Sequence, residues 1–291
     1  MRTNIFVLTE DLNFFYRLNK ELERLQVKFE VLNIGNKIPN IPNSIILSTL
    51  KEMNNFENVD KIKGKILPYA KEDNFEQYIV KVLAGKKIGK KNYSELIFSI
   101  DPGTKHLGLV IFLDDYYLNS HTIYDYDKLI NIIQTYFFAL QEGNPNPLKL
   151  IFKFGRGIMP ITQKLIEEIF KNFNKEWLRV LLIDESKTSK YKIRDESKKK
   201  IPKDEAAALI ISLRDGFEIT SQNYQTIIKQ KSHNKMKTEE FHENSVDDNE
   251  EIDQRLIEIA ENVLLGNLSL SKSIKLIKMA KNSNYNQFNY I

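Results

Sequence analysis

Three short segments of this 291-residue chain carry acids in settings that could do chemistry. ELIFSIDPGTKHLG brings an apolar run to its end at Asp101, and WLRVLLIDESKTS brings another to Asp184 and Glu185. KDEAAALIISLRD opens an alanine-rich stretch with Asp204 and Glu205. Carboxylate oxygens gathered at one place suit a hard divalent cation such as Mg2+ or Mn2+, which keeps part of its water shell. Each acid also has a plainer reading. Asp-Pro-Gly begins a tight turn, Glu185 is solvated at a strand end, and Asp204 caps a helix and complements its dipole. The turn by itself does not require the apolar strand that delivers Asp101 to the edge of a sheet. The chain has no cysteine, so a thiol nucleophile, a disulfide framework and a Cys-based zinc site are all excluded. No Ser-His-Asp set stands out, and His106 and His121 read as turn and strand residues.

The elements that must position these acids follow one another closely between about residues 95 and 216. ELIFSID, LGLVIFL and YYLNSHTIY read as three strands, and YDKLINIIQTYFFALQ as a helix with Leu129, Ile132, Ile133, Tyr136 and Leu140 on one face. LKLIFKF is a fourth strand, PITQKLIEEIFKNF a helix begun by proline, WLRVLLIDE a fifth strand, and KDEAAALIISLRD the closing helix. The order is βββαβαβα. Short connections make the first three strands an antiparallel meander, and helical crossovers make the fourth and fifth parallel to the first. Ligands of such sheets sit at the carboxyl ends of the parallel strands. Asp101 ends the first of these, Gly155 and Arg156 follow the fourth, Asp184 and Glu185 end the fifth, and the helix starting at Asp204 packs back near the same edge. Acids far apart in sequence thus converge.

Residues 1–85 read as a separate small α/β domain, similar in rhythm to flavodoxin-like or receiver-like folds. NIFVLTE is a buried strand, and Leu12, Phe15, Leu18, Leu22 and Leu25 recur at helical spacing behind Asp11 as a cap. VKFEVLNI alternates as a strand, SIILSTL and KGKILPYA follow, and NFEQYIVKVLAG is helical. No phosphate-binding glycine loop is present. AGKKIGKKNYS marks a boundary, 217–252 reads as a charged linker, and 253–282 as two amphipathic helices about Gly266. Their apolar stripe docks on the body or on a partner, and the body is the simpler choice.

Net charge is only +4, but Lys187–Lys203 is dense in cations and Glu239–Asp253 in acids. A charge run is ordinarily a solvated loop. Placed beside an acidic site, Lys105, Arg156, Lys187, Lys198, Lys199 and Lys200 would instead contact phosphates, which gives affinity without sequence reading. No apolar run approaches the ~20 residues of a membrane span, so the chain is expected to be soluble and cytoplasmic.

IDPGTKHLG resembles the first motif of the RuvC-type Holliday-junction resolvases and of the related YqgF (RuvX) nucleases, both ribonuclease H-like. LIDESKTS resembles the motif after strand five in the YqgF branch, and KDEAAALII its closing helix. The resemblance implies a ribonuclease H-like domain over 95–216 that hydrolyses phosphodiester bonds in structured DNA or in RNA with Mg2+ or Mn2+. Asp101 would anchor the metal, with Glu185 and Asp204 completing the cluster and Glu205 as a substitute ligand. It also implies a nucleic-acid partner and, as for resolvases, a homodimer. Two positions depart from the pattern. Resolvases place a glutamate on strand four, where this chain offers Lys153 or Phe154, and the arginine of the YqgF motif is Lys187, which loses the bidentate fork. The strand-four departure supports the alternative of a catalytically silent module that binds nucleic acid or protein. A phosphotransferase of the actin-like ATPase group also begins with an Asp-x-Gly strand turn, but requires a duplicated domain and a second such loop.

Overall fold

The computed structural model describes residues 3–33, 42, 44–55, 64–89, 92–185, 188–195, 199–226 and 250–288. Most of the expected charged linker, 227–249, lies outside the described residues. The chain divides into two compact units, Met1–Asn92 with Gln134–Asn144, and Tyr93–Ile133 with Pro145–Ile291. Both are α/β, one with a parallel and one with a mixed sheet, and the C-terminal part is helical.

In the first unit β1 (Asn4–Val7), β2 (Glu30–Val31), β3 (Ser44–Thr49) and β4 (Lys65–Tyr69) form an all-parallel sheet in the order β2-β1-β3-β4. Helices α1 (Leu12–Arg24), α2 (Leu50–Met53) and α3 (Phe75–Lys87) connect or follow the strands. Every residue of β3 is buried, which explains its continuous apolar run. Asp11 caps α1, its carboxylate accepting from the backbone N–H groups of Asn13 and Phe14. The buried stripe of α1 is Phe14, Leu18 and Leu22, not the one expected from Leu12 and Phe15, and Leu12 is 80% exposed. The i, i+4 run from Phe14 fixes the inward face, and a residue two positions earlier is turned about 200° away from it. The strand expected over VKFEVLNI contracts to the two residues of β2.

The second unit contains β5 (Glu95–Pro102), β6 (Leu107–Leu113), β7 (Tyr116–Ile123), β8 (Lys149–Gly155), α5 (Met159–Asn172), β9 (Leu178–Ile183), α6 (Lys203–Ser212) and β10 (Gly216–Ile219), together with the start of α4 (Asp127–Gln141), whose residues from Gln134 onward belong to the first unit. The sheet order is β10-β9-β8-β5-β6-β7, with β5, β8 and β9 parallel and the rest antiparallel to their neighbours. The β6–β7 hairpin closes through Asp114 and Asp115 at φ 47° and 76°, the left-handed pair that matches strand twist in a two-residue loop. Strand β10 was not foreseen. Three of its four residues are exposed, so the run GFEI has no buried alternation to betray it.

Alanines let α6 lie close to the sheet, and Ala206–Ser212 are all buried. The Ser99 hydroxyl on β5 donates to the Ala208 carbonyl at 2.7 Å. The C-terminal end of α6 is held by Lys153 of β8, whose Nζ donates to the carbonyls of Ser212 (2.5 Å) and Arg214 (3.0 Å). Burial pulls the Lys153 ammonium down to about 8, against the opposing pull of Asp215 and Asp115. The last two helices, α7 (Glu250–Leu264) and α8 (Leu270–Phe288), dock on the same body. Ala260, Val263 and Leu270 join a core with Leu209, Ile210, Leu213, Val110 and Phe112. Among the described residues no helix is long and apolar enough to cross a membrane.

Lys153 fixes the end of α6, so Lys153→Met should lower stability by about 1–3 kcal/mol, the cost of leaving buried carbonyls unmet. The measurement is the urea midpoint at pH 7, and an unchanged midpoint would show that the helix end holds without it.

Candidate functional site

Asp101 stands at the end of β5 between two glycines. Its register partner on β6 is Gly108. On the other side the last paired residues are Ile100 and Phe154, so one step further Asp101 stands beside Gly155 of β8. Strand periodicity puts Ser99 and Asp101 on one face of β5, Lys153 and Gly155 on the same face of β8, and Ile183, then Glu185, on that face of β9 and its extension.

Both glycines leave room that another group fills. A Cβ on Gly108 would fall on the carbonyl of Asp204, so the start of α6 lies directly against β6 there. A Cβ on Gly155 or on Gly157 would fall on the carboxylate of Glu185. The segment Gly155-Arg156-Gly157 is therefore a mould for that carboxylate, and Glu185 Oε2 is buried. Two carboxylates thus approach Asp101, one from each side. Burial pushes the Asp101 carboxyl up to about 7, the negative charges of Glu185 and Asp204 push it the same way, and Lys203 opposes them.

Among the other residues singled out in the sequence, Glu205 faces away from this group. Its two oxygens accept from the hydroxyls of Ser120 and Thr122 on β7, the latter at 2.8 Å. Lys105 is exposed on the β5–β6 turn. Arg156 lies 3.6 Å from the carboxylate of Asp184. Lys199 and Lys200 are exposed, and Lys200 forms a bridge with Arg194. Lys187 and Lys198 lie outside the described residues. The His106 ring packs on Tyr124 with centroids 4.6 Å apart, and His121 lies on β7 beside Asn119.

Sequence reasoning missed what four residues contribute. Gly155 was placed after the fourth strand without a role, Gly157 was not singled out, and Lys203 was only part of a basic run. Arg214 went unnoticed in a stretch assigned to the end of a helix. Its Nη1 donates to the Asp184 carbonyl at 2.7 Å, and its charge acts on Glu185. Side-chain packing over a glycine has no signature in a single sequence.

The donor set is all carboxylate oxygen, which fits a hard cation. Among the described residues no group of three His, Cys, Asp or Glu converges closely enough to enclose an ion. Mg2+ in general can be held by one or two protein carboxylates, with the remaining positions taken by water and substrate oxygens.

No family model matches the chain, and no curated protein matches it. Solved structures that it is similar to include an exopolyphosphatase from Cytophaga hutchinsonii ATCC 33406, at 11% identity and a TM-score of 0.15, covering 59% of this chain and 58% of that one. A second is the Aquifex aeolicus member of the Ppx/GppA protein family, at 8% identity and a TM-score of 0.14, covering 57% and 55%. A third is the type II variant of the Aquifex aeolicus Ppx/GppA phosphatase, at 8% identity and a TM-score of 0.15, covering 68% and 70%. The chain thus spans less than two thirds of the first two. These findings correct the expected kinship with RuvC and YqgF nucleases. The neighbours are of Ppx/GppA type, so the readings as a Holliday-junction resolvase and as a nuclease of structured DNA or RNA fall, and the silent module gains no support in their place. TM-scores this low carry neither fold nor activity to this chain.

The raised Asp101 carboxyl has a thermodynamic consequence. Below about pH 3 it is protonated in folded and unfolded chains alike and contributes nothing. Well above pH 7 it is ionised in both, and the folded state bears the penalty, so this group costs stability as pH rises from about 3 through 7. Asp101→Asn should therefore stabilise the protein at pH 8, by at most about 4 kcal/mol for three pK units, and leave it unchanged at about pH 3. Denaturant midpoints at the two pH values decide it, and equal midpoints at pH 8 would refute the electrostatic account.

Proposed function

We propose that the acidic edge of the second unit holds one divalent cation, Mg2+ or Mn2+, on Asp101 and Glu185 with Asp204 beside them, and hydrolyses a phosphate bond in a small polyphosphorylated molecule. The observation that carries this reading is Asp101 itself, a half-buried carboxyl pushed up to about 7 by desolvation and by Glu185 and Asp204 beside it. Such a group is stabilised by a positive charge, and strongly perturbed acids at a sheet edge cluster at functional sites. We further read the second unit as a ribonuclease H-like arrangement, on the strength of its central β5 flanked by antiparallel β6 and parallel β8. The parallel β2-β1-β3-β4 sheet of the first unit supports a flavodoxin-like reading of that part.

The bound cation would neutralise charge on the phosphate undergoing displacement. Asp101 and Glu185 hold it, and the glycine mould fixes the direction of the Glu185 carboxylate. Asp204 lies in the first turn of α6 and adds negative charge on the other flank. Lys203 and Lys105, both exposed, and Arg156 offer positive charge to phosphate oxygens outside the cation. In this reading water is the nucleophile, and an in-line displacement by water on the cation-bound phosphate needs no covalent intermediate.

The substrate class follows from coordination. A site with only one or two carboxylates completes the shell of its cation with substrate oxygens, and adjacent phosphates of a polyphosphate or a nucleoside triphosphate supply two at once. The cysteine-free sequence suits the reducing cytoplasm, where such compounds abound.

The test is phosphate release from inorganic polyphosphate, ATP and GTP with Mg2+ or Mn2+, beside a chelator control. Release should require the metal and fall at least about 100-fold in Asp101→Asn, the scale of losing a group that acts in the transition state. Release from none of these compounds with either metal would remove the proposal.

A further inference from the structure

Glu185 and Asp204 bound a single loop, and the middle of that loop is held by the C-terminal helices. Asp253 of α7 pairs with Lys190 and accepts from the Tyr191 hydroxyl at 2.8 Å. Glu261 of α7 accepts from the backbone N–H of Arg194 at 3.1 Å. Tyr191 is only 7% exposed, and its hydroxyl also takes a hydrogen bond from Arg214.

Arg214 continues the chain of contacts into the acidic site. Its Nη1 donates to the Asp184 carbonyl at 2.7 Å, on the residue directly before Glu185. The contact is to the main chain, so it fixes the path by which the strand leaves the sheet. The Asp184 carboxylate instead faces Arg156. The guanidinium charge acts on Glu185 as well, and the Arg214 carbonyl is anchored by Lys153 at 3.0 Å. Asp253, Tyr191, Arg214 and Asp184 are thus linked in series, from a helix near the C-terminus to the carboxylate seated over Gly155 and Gly157.

We propose that Arg214 is the positioning residue for Glu185, and that Asp253 on α7 holds Arg214 in place through Tyr191. The inference rests on the cation site proposed above, in which Glu185 is a ligand. It gives the C-terminal helices a task at the site that their core packing alone does not. Groups that orient a ligand from outside its coordination shell commonly contribute 10–100-fold to metal affinity, and groups acting through one chain of contacts are not additive when removed together.

Two measurements on the full chain test it. Mn2+ affinity is read from loss of the free-ion electron paramagnetic resonance signal for wild type, Arg214→Lys, Arg214→Ala, Tyr191→Phe, Asp253→Asn and the Arg214→Ala/Tyr191→Phe double variant. Arg214→Ala should weaken binding about tenfold or more, Arg214→Lys should recover part of it, and the double variant should bind no worse than Arg214→Ala. Tyr191→Phe and Asp253→Asn should weaken binding several-fold. Melting temperatures taken in parallel separate these effects from general destabilisation. Wild-type affinity in both Tyr191→Phe and Asp253→Asn, or additive losses in the double variant, would overturn the proposal. The second measurement needs no metal. Amide exchange at Ile183–Glu185 should quicken several-fold in Arg214→Lys and Tyr191→Phe, and unchanged exchange there counts equally against it. If wild type takes up no Mn2+, the cation reading fails, while the exchange data still decide whether Arg214 and Tyr191 position Glu185.

Discussion

Like charges at the end of a buried strand repel one another, and the second unit is arranged around containing that repulsion at Asp101. The carboxyl is both half-buried and flanked by Glu185 and Asp204, and the two effects act in the same direction. Room for this crowding comes from missing side chains. Gly108 admits the first turn of α6 on one flank, and Gly155 with Gly157 admits the Glu185 carboxylate on the other. Had either flank carried a Cβ, one acid would be displaced and its push on Asp101 weakened, while the larger effect of burial would remain.

The counterweights lie on the same face. Lys203 stands against Asp101, Arg214 against Glu185, and Lys153 two residues below Gly155 holds the far end of α6. Lys153 is the one buried charged side chain among the described residues. Its long side chain spans the helix-to-sheet gap and caps carbonyls, while Glu185 arrives from the next strand over. One short alanine-rich helix therefore has both ends committed, its start to the acidic edge and its finish to Lys153.

The strands and helices around the site were legible because each is apolar throughout or strongly periodic. β6 is buried at every residue, and α4 buries Leu129, Ile133, Tyr136 and Leu140 of the expected face. The ends of β5 and β9 could be placed for the same reason, which located Asp101 and Glu185. The phase of α1 was not legible, since apolar residues stand at two competing spacings near its start. Nor was the difference between Asp204 and Glu205, which depends on β7 offering two hydroxyls to the second acid. The motif resemblance misled for a physical reason. Asp-Pro-Gly serves any tight strand turn, and alanines serve any helix that must lie close to a sheet, so the same letters arise from geometry without kinship.

The loop between β9 and α6 has its two ends fixed by rigid elements and its middle held by α7, while Arg194 and Lys200 form a bridge and the Lys199 N–H donates to the Asp195 carboxylate. Closing a longer loop between fixed ends is cheap, about 0.6 kcal/mol for each doubling of its length. New sequence inserted between Arg194 and Lys200 would leave Glu185 over its glycines and Asp204 against Gly108. The interval between two acids of the site is thus a port at which recognition elements can be gained, lost or exchanged over evolutionary time without moving the carboxylates on either side.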